Sequence, residues 1–160
     1  MRFLFASLKK NMYICHRNKQ TTYLKTIMEK QKLYIERELK SNSQAIIWNL
    51  ISTPEGLSRW IADEVLLEGN ALTLTWNKAD GHRKTVGAQV VGKAKNQYFR
   101  FRWDDETEPE AIIELRMERS EITNDHFLCI TDYALPDELD QLEDLWEEDF
   151  FRLRQNTGLL

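Results

Sequence analysis

The chain has 160 residues, 42% of them hydrophobic and 30% charged, with a formal charge of −4. That composition fits one globular domain able to bury a core without disulfides or metal, and excludes a disordered or fibrous chain. Its apolar runs fall far short of the roughly 20 residues that a membrane-spanning helix needs, so no membrane span is expected. Charge is uneven: residues 1–27 carry six of the 22 basic side chains (Arg2, Lys9, Lys10, Arg17, Lys19, Lys25) and no acidic one. The remainder holds 16 basic against 26 acidic residues, a net of −10. Nucleic acid and anionic membrane surfaces are therefore not expected as partners.

The basic segment fits no targeting signal well. Its apolar stretch, Phe3 to Leu8, is short for a secretion signal and runs into Lys9-Lys10. Ile14 stands where a lipoprotein signal has a small residue before its cysteine, here Cys15, and an organelle transit peptide fits only loosely. Patterned sequence begins directly after Met28. Residues 1–30 are thus read as a disordered or partly helical tail, or else the native start is Met28 and residues 1–27 are not translated. Cys15 and Cys129 lie far apart without metal-ligand spacing; a reducing, cytoplasmic setting is the simplest reading, with a disulfide between them as the alternative.

Lys32 to Leu39 reads as a strand with Leu33, Ile35 and Arg37 on one face. Ser41-Asn42-Ser43 offers side-chain oxygens to cap a helix, with Gln44 early in it and Ala45, Ile46, Trp48, Leu50 and Ile51 as its apolar residues. Thr53-Pro54 ends that helix and starts a second over Pro54 to Trp60. Proline suits a first helical turn and disfavours helix in the residue before it.

From Asp63 the period changes to two. Leu72, Leu74 and Trp76 alternate with Thr73 and Thr75; Asn77 to Gly81 turns the chain; Val86, Ala88 and Val90 share a face of the returning strand. After a turn at Lys95-Asn96, Phe99, Phe101 and Trp103 alternate with Tyr98, Arg100 and Arg102. Asp104 to Glu110 is expected to be a solvated hairpin connection. It leads to Ile113, Leu115 and Met117, alternating with Glu114, Arg116 and Glu118. Phe127 to Tyr133 is apolar on both faces and belongs inside the sheet.

Pro136 opens the longest helix, reaching about Gln155, with Leu139, Leu142, Trp146, Phe150 and Leu153 as one stripe. Its many acidic residues are read as a solvated face first and a docking site second. Arg152, Arg154 and Gly158 suit its C-terminal end. The order predicts an α+β fold in which a curved antiparallel sheet of about seven strands, with two short helices, grips this final helix.

Three segments carry a family resemblance: Tyr34-Ile35-Glu36-Arg37-Glu38-Leu39, Ser43-Gln44-Ala45-Ile46-Ile47-Trp48, and Ser52-Thr53-Pro54-Glu55-Gly56-Leu57-Ser58-Arg59-Trp60. They resemble the opening of START-like proteins, above all the family named after the activator of the heat-shock protein 90 ATPase. Leu145-Trp146-Glu147-Glu148-Asp149-Phe150-Phe151-Arg152-Leu153 is similar to that family's terminal helix. The resemblance implies the helix-grip fold over residues 31–160 and a hydrophobic cavity between sheet and helix. Its members include lipid carriers, polyketide cyclases and co-chaperones, so the fold alone does not choose a function. Residues 1–30 resemble none of the separate N-terminal domain that the co-chaperones carry.

On this reading Leu74, Trp76, Phe99, Phe101, Trp103, Ile113, Leu115, Met117 and Trp146 line the cavity, where large aromatics serve as core, as ligand wall, or as both. Asp132 and Tyr133 are polar candidates for its interior. Arg100 and Arg102 fall on the other face, with Glu114 and Glu118 as expected partners. His16, His82 and His126 show no metal spacing, and the acidic loop lacks the spacing and glycine of a cation loop, so no metal or cofactor is expected. No glycine-rich phosphate loop or serine elbow is present. The expected function is binding of a small hydrophobic or amphipathic ligand. The alternatives are a cyclase- or hydrolase-type enzyme using the same cavity, and a protein-interaction module, with a protein partner or a homodimer.

Overall fold

The computed structural model describes residues 29–160; the basic tail, Cys15, His16 and the start at Met28 lie outside the described residues. The elements run β1 (Gln31–Leu39), α1 (Gln44–Ser52), α2 (Pro54–Leu57), β2 (Glu64–Glu68), β3 (Ala71–Asn77), β4 (Arg83–Ala94), β5 (Tyr98–Trp103), β6 (Ile113–Arg119), β7 (His126–Ala134) and α3 (Leu139–Thr157). All strands pair antiparallel in one seven-stranded sheet of order β1-β7-β6-β5-β4-β3-β2. Strands β2 to β7 meander, and β1 returns to pair with β7. The doubly apolar β7 thus lies between β1 and β6, as its composition demands.

The α1–α2 corner shows why its sequence takes this form. The Ser43 hydroxyl accepts from the Ile46 N–H and caps α1, and the Thr53 hydroxyl accepts from Gly56 N–H at 3.0 Å and caps α2. Pro54 occupies the first turn of α2. Gly56 packs directly on α1: a β-carbon there would stand 2.0 Å from the Asn49 carbonyl oxygen. Trp60 is fully buried and its indole N–H donates to the Leu50 carbonyl at 3.2 Å, which locks the corner onto α1. The helix of α2 is shorter than expected, ending at Leu57 in turns.

Strand parity sorts the sheet into an inner, apolar face and an outer, polar one. Leu72 pairs with Ala88, Ala88 with Trp103, Phe101 with Ile113, Phe99 with Leu115 and Leu115 with Ile130, so these residues share the inner face. A bulge between Val90 and Gly92 breaks the alternation of β4. It brings Lys93 to the inner face opposite Phe99, where its ammonium donates to the Ser52 carbonyl at the C-terminus of α1. The sequence reading of β4 stops at Val90 and does not anticipate this.

Helix α3 packs against β1 and β7 through Leu142, Leu145, Trp146, Phe150 and Leu153, and ends at Gly158 in a left-handed conformation (φ 66°). Its acidic face is not wholly solvated: Asp149 is only 6% exposed. Residue 149 follows Trp146 by three and precedes Leu153 by four, so helical geometry puts it on the buried stripe despite its charge.

Two other expectations are corrected. The acidic connection is not uniformly solvated, because Glu106 has a side chain only 4% exposed and an ion pair with Lys30. On the outer face Arg100 pairs with Glu114 as expected, but Glu114 takes Arg116 as its second partner. Arg102 does not reach Glu118. The β5–β6 ladder ends at Phe101 and Ile113, so Arg102 lies beyond one end, while Glu118 lies beyond the other.

Candidate functional site

The site is the interface between the inner sheet face and α3. Strands β3, β5 and β6 place apolar residues there at alternate positions, with α3 packed over β1 and β7 and α1 over β5 and β6. Leu74, Phe99, Phe101, Leu115 and Trp146 are fully buried, Trp76, Ile113 and Met117 nearly so, and Trp103 is half-buried. All belong to, or pack against, one hydrophobic cluster. The structure therefore brings the expected residues to one face.

Their aromatic rings form two groups. Trp60, Trp146 and Phe150 meet with centroids 6.1 to 6.5 Å apart, linking the α2 corner to α3. Phe99, Phe101, Trp103 and Trp76 form a chain along β5 and β3, with Phe101 and Trp103 edge-to-face at 5.4 Å.

Polar groups enter this interior at defined points. Asp132, 7% exposed, accepts from the Trp146 indole N–H at 3.0 Å through one oxygen and from the Tyr133 backbone N–H at 2.8 Å through the other. Its carboxylate thereby fixes the rotamer of the tryptophan that α3 contributes. Tyr133 faces the other way, opposite Lys32. Trp76 is held likewise, donating to the Ile61 carbonyl at 2.9 Å. Arg37, on the inner face of β1, pairs with Glu147 of α3, and its guanidinium lies 5.2 Å from the Phe150 ring centroid. Arg152 of α3 donates to Asp63 at 3.0 Å, tying the helix to the turn before β2.

The sequence reading missed Asp149 and Lys93 as inner groups. The first had a signal in its spacing of three and four from Trp146 and Leu153. The second had none, since nothing in Val91-Gly92-Lys93 announces a bulge beyond the glycine. On the outer face, burial pushes the Glu114 carboxyl up, but hydrogen bonds from Arg116 and Arg100 outweigh it and hold the group below its ordinary value. Among the described residues no three His, Cys, Asp or Glu side chains are grouped to hold a metal ion, and no helix is long and apolar enough to cross a membrane.

A family model described as a START-like superfamily domain matches residues 27–158. Among solved structures, a Bacteroides fragilis protein determined by solution NMR is 34% identical, covering 83% of this chain and 95% of its own, with a TM-score of 0.56. The solution structure of the Aha1 dimer from Colwellia psychrerythraea is 17% identical over 80% of this chain and 98% of its own, at a TM-score of 0.57. An AHSA1-like protein from Aeromonas hydrophila is 13% identical over 80% and 92%, at a TM-score of 0.61. No protein of curated function matches the chain.

Proposed function

The chain belongs to the START-like superfamily, and from that premise we propose that it binds a small hydrophobic or amphipathic molecule between the inner sheet face and α3. Leu74, Trp76, Phe99, Phe101, Trp103, Ile113, Leu115, Met117 and Trp146 are its wall. The observation that supports this reading is that inner-face residues of β3 to β7 join one hydrophobic cluster with Trp146, whose only polar atom is satisfied by Asp132. Such a surface offers a ligand apolar contact without leaving a polar group unpaired.

The catalytic alternative would draw on Asp132, but both of its oxygens are engaged in holding Trp146 and the local backbone. A positioning role accounts for them. The interaction-module reading has one observation in its favour: the aromatic groups around Trp60–Trp146–Phe150 and Phe101–Trp103 already pack ring against ring. The dimer described for the Colwellia relative gives that partner a natural form, a second copy. We place the protein in the cytoplasm, a setting supported by the buried free thiol of Cys129.

Native mass spectrometry of the full chain purified from its own host tests the choice. A stoichiometric small molecule retained on the monomer supports ligand binding. A bare dimer supports the interaction module instead.

A further inference from the structure

Where β1, β6 and β7 reach the same end of the sheet, a pocket of about 490 Å³ is lined by Asn42, Gln44, Arg119, Asn124 and His126. The register explains their convergence. Leu39, His126 and Arg119 pair across the three strands and end the inner face in one row. Asn42 and Gln44 flank Ser43, the cap of α1, so the N-terminus of that helix opens on the same pocket. The Ser43 hydroxyl takes the Ile46 N–H, while the N–H groups of Gln44 and Ala45 have no earlier helical carbonyl to bond.

His126 is only 3% exposed, yet neither Nδ1 nor Nε2 has a hydrogen-bond partner in the protein. Buried polar groups are ordinarily satisfied, and a ring kept dry and unpaired in a core strand is disfavoured unless something meets it. His126 is one of the residues that line the pocket, and its two ring nitrogens lie just beneath the surface, within reach of a small shift of the ring. The other lining side chains are a guanidinium and carboxamides, with no carboxylate. Arg119 Nη2 donates to Asn124 Oδ1 at 2.9 Å, which ties the guanidinium to the β6–β7 hairpin. Asn124 itself holds a left-handed conformation (φ 64°) in that hairpin, where the Ser120 N–H donates to the Asp125 carbonyl at 2.8 Å.

We propose that this pocket binds a small oxyanion group, a phosphate or a carboxylate, through Arg119, His126 and the N-terminus of α1. A guanidinium supplies charge-assisted donors, a helix N-terminus supplies backbone N–H groups and a favourable dipole, and an imidazole supplies at least one donor. These lie together in a chain whose described part is strongly acidic, so the pocket is a local exception to the general repulsion of anions. The site is separate from the interior between the sheet and α3, and stands whether or not that interior holds a ligand.

The test is a titration of the ¹⁵N,¹³C-labelled full chain with inorganic phosphate, and separately with acetate, each against sodium chloride at equal ionic strength and fixed pH. The expected result is a saturable shift of the His126 ring C–H, the Arg119 side-chain N–H and the Gln44 and Ala45 amides by at least one oxyanion. Saturation by both assigns any carboxylate or phosphate group; saturation by phosphate alone narrows the site to tetrahedral anions. The exposed-site variants Arg119→Gln and Asn42→Asp keep a dispersed spectrum and weaken binding at least tenfold. Shifts that match those in chloride, or that persist unchanged in Arg119→Gln, overturn the proposal.

Discussion

Cys129 lies on the outer face of β7, buried, with its sulfur 3.9 Å from a Glu36 carboxylate oxygen. Burial pushes its thiol up to about 11, against a smaller opposing effect of the hydrogen bond with Tyr34. The thiolate is the reactive form, so near neutral pH the native thiol is inert. Peptide-resolved iodoacetamide labelling at pH 7.5 should leave Cys129 unmodified in the folded protein and modify it fully in denaturant. Labelling at equal rates in both states would contradict the burial.

Glu114 gives a pH-dependent prediction of the opposite kind. Its pKa is lower in the folded than in the unfolded chain, so its contribution is present above the ordinary carboxylate value, about 4.3. It is lost as pH falls through the folded value. Glu114→Gln should therefore cost about 1 kcal/mol at pH 7, as a partly exposed ion-pair network does, and progressively less below pH 4. Urea titrations across that range would show it, and a cost independent of pH would refute the assignment. Alternation announced Glu114 opposite Arg100, because cross-strand pairs follow parity. It did not announce Arg102, because a ladder's length depends on where the partner strand begins.

At the scale of elements, the α1–α2 corner was the most legible part of the chain. Ser43, Thr53 and Pro54 each have a local job that the backbone dictates, and all three perform it. Gly56 was visible only as part of a motif; its reason is tertiary, the close approach to the Asn49 carbonyl. Gly56→Ala should consequently displace α2 from α1 and cost several kcal/mol, read as a fall in the thermal midpoint. A midpoint unchanged within a degree would show that the corner relaxes freely.

Helix α3 is the other decisive element. Its buried Leu142, Leu145, Trp146, Phe150 and Leu153 each contribute roughly 1.5 to 3 kcal/mol, together comparable with the whole stability of a domain. A chain ending before Leu139 should lose its dispersed proton spectrum. The stripe itself was legible from its spacing, apart from Leu145, which widens it. Asp149 carried the stripe's spacing, three from Trp146 and four from Leu153, but its charge reads as solvent-facing until its neighbours are placed.

Across residues 29–160, periodicity and turn residues announce an antiparallel meander with an apolar face, and a long amphipathic helix to pack on it. The seven-stranded order follows from that logic, with β1 alone needing a long-range pairing. What the interior does was less legible. The same apolar alternation that builds a core also builds a ligand wall, and the difference lies in how closely opposing side chains meet.

The most direct measurement follows the Trp146 indole N–H, held by Asp132, and the side chains of Phe99 and Leu115 by NMR while straight-chain alcohols of graded length are added. With a ligand-binding interior, these signals shift together and saturate at one ligand per chain, while the outer-face Tyr98 stays fixed. Signals that do not move, or that move only at exposed Ile122 and Phe151, would contradict a ligand-binding interior.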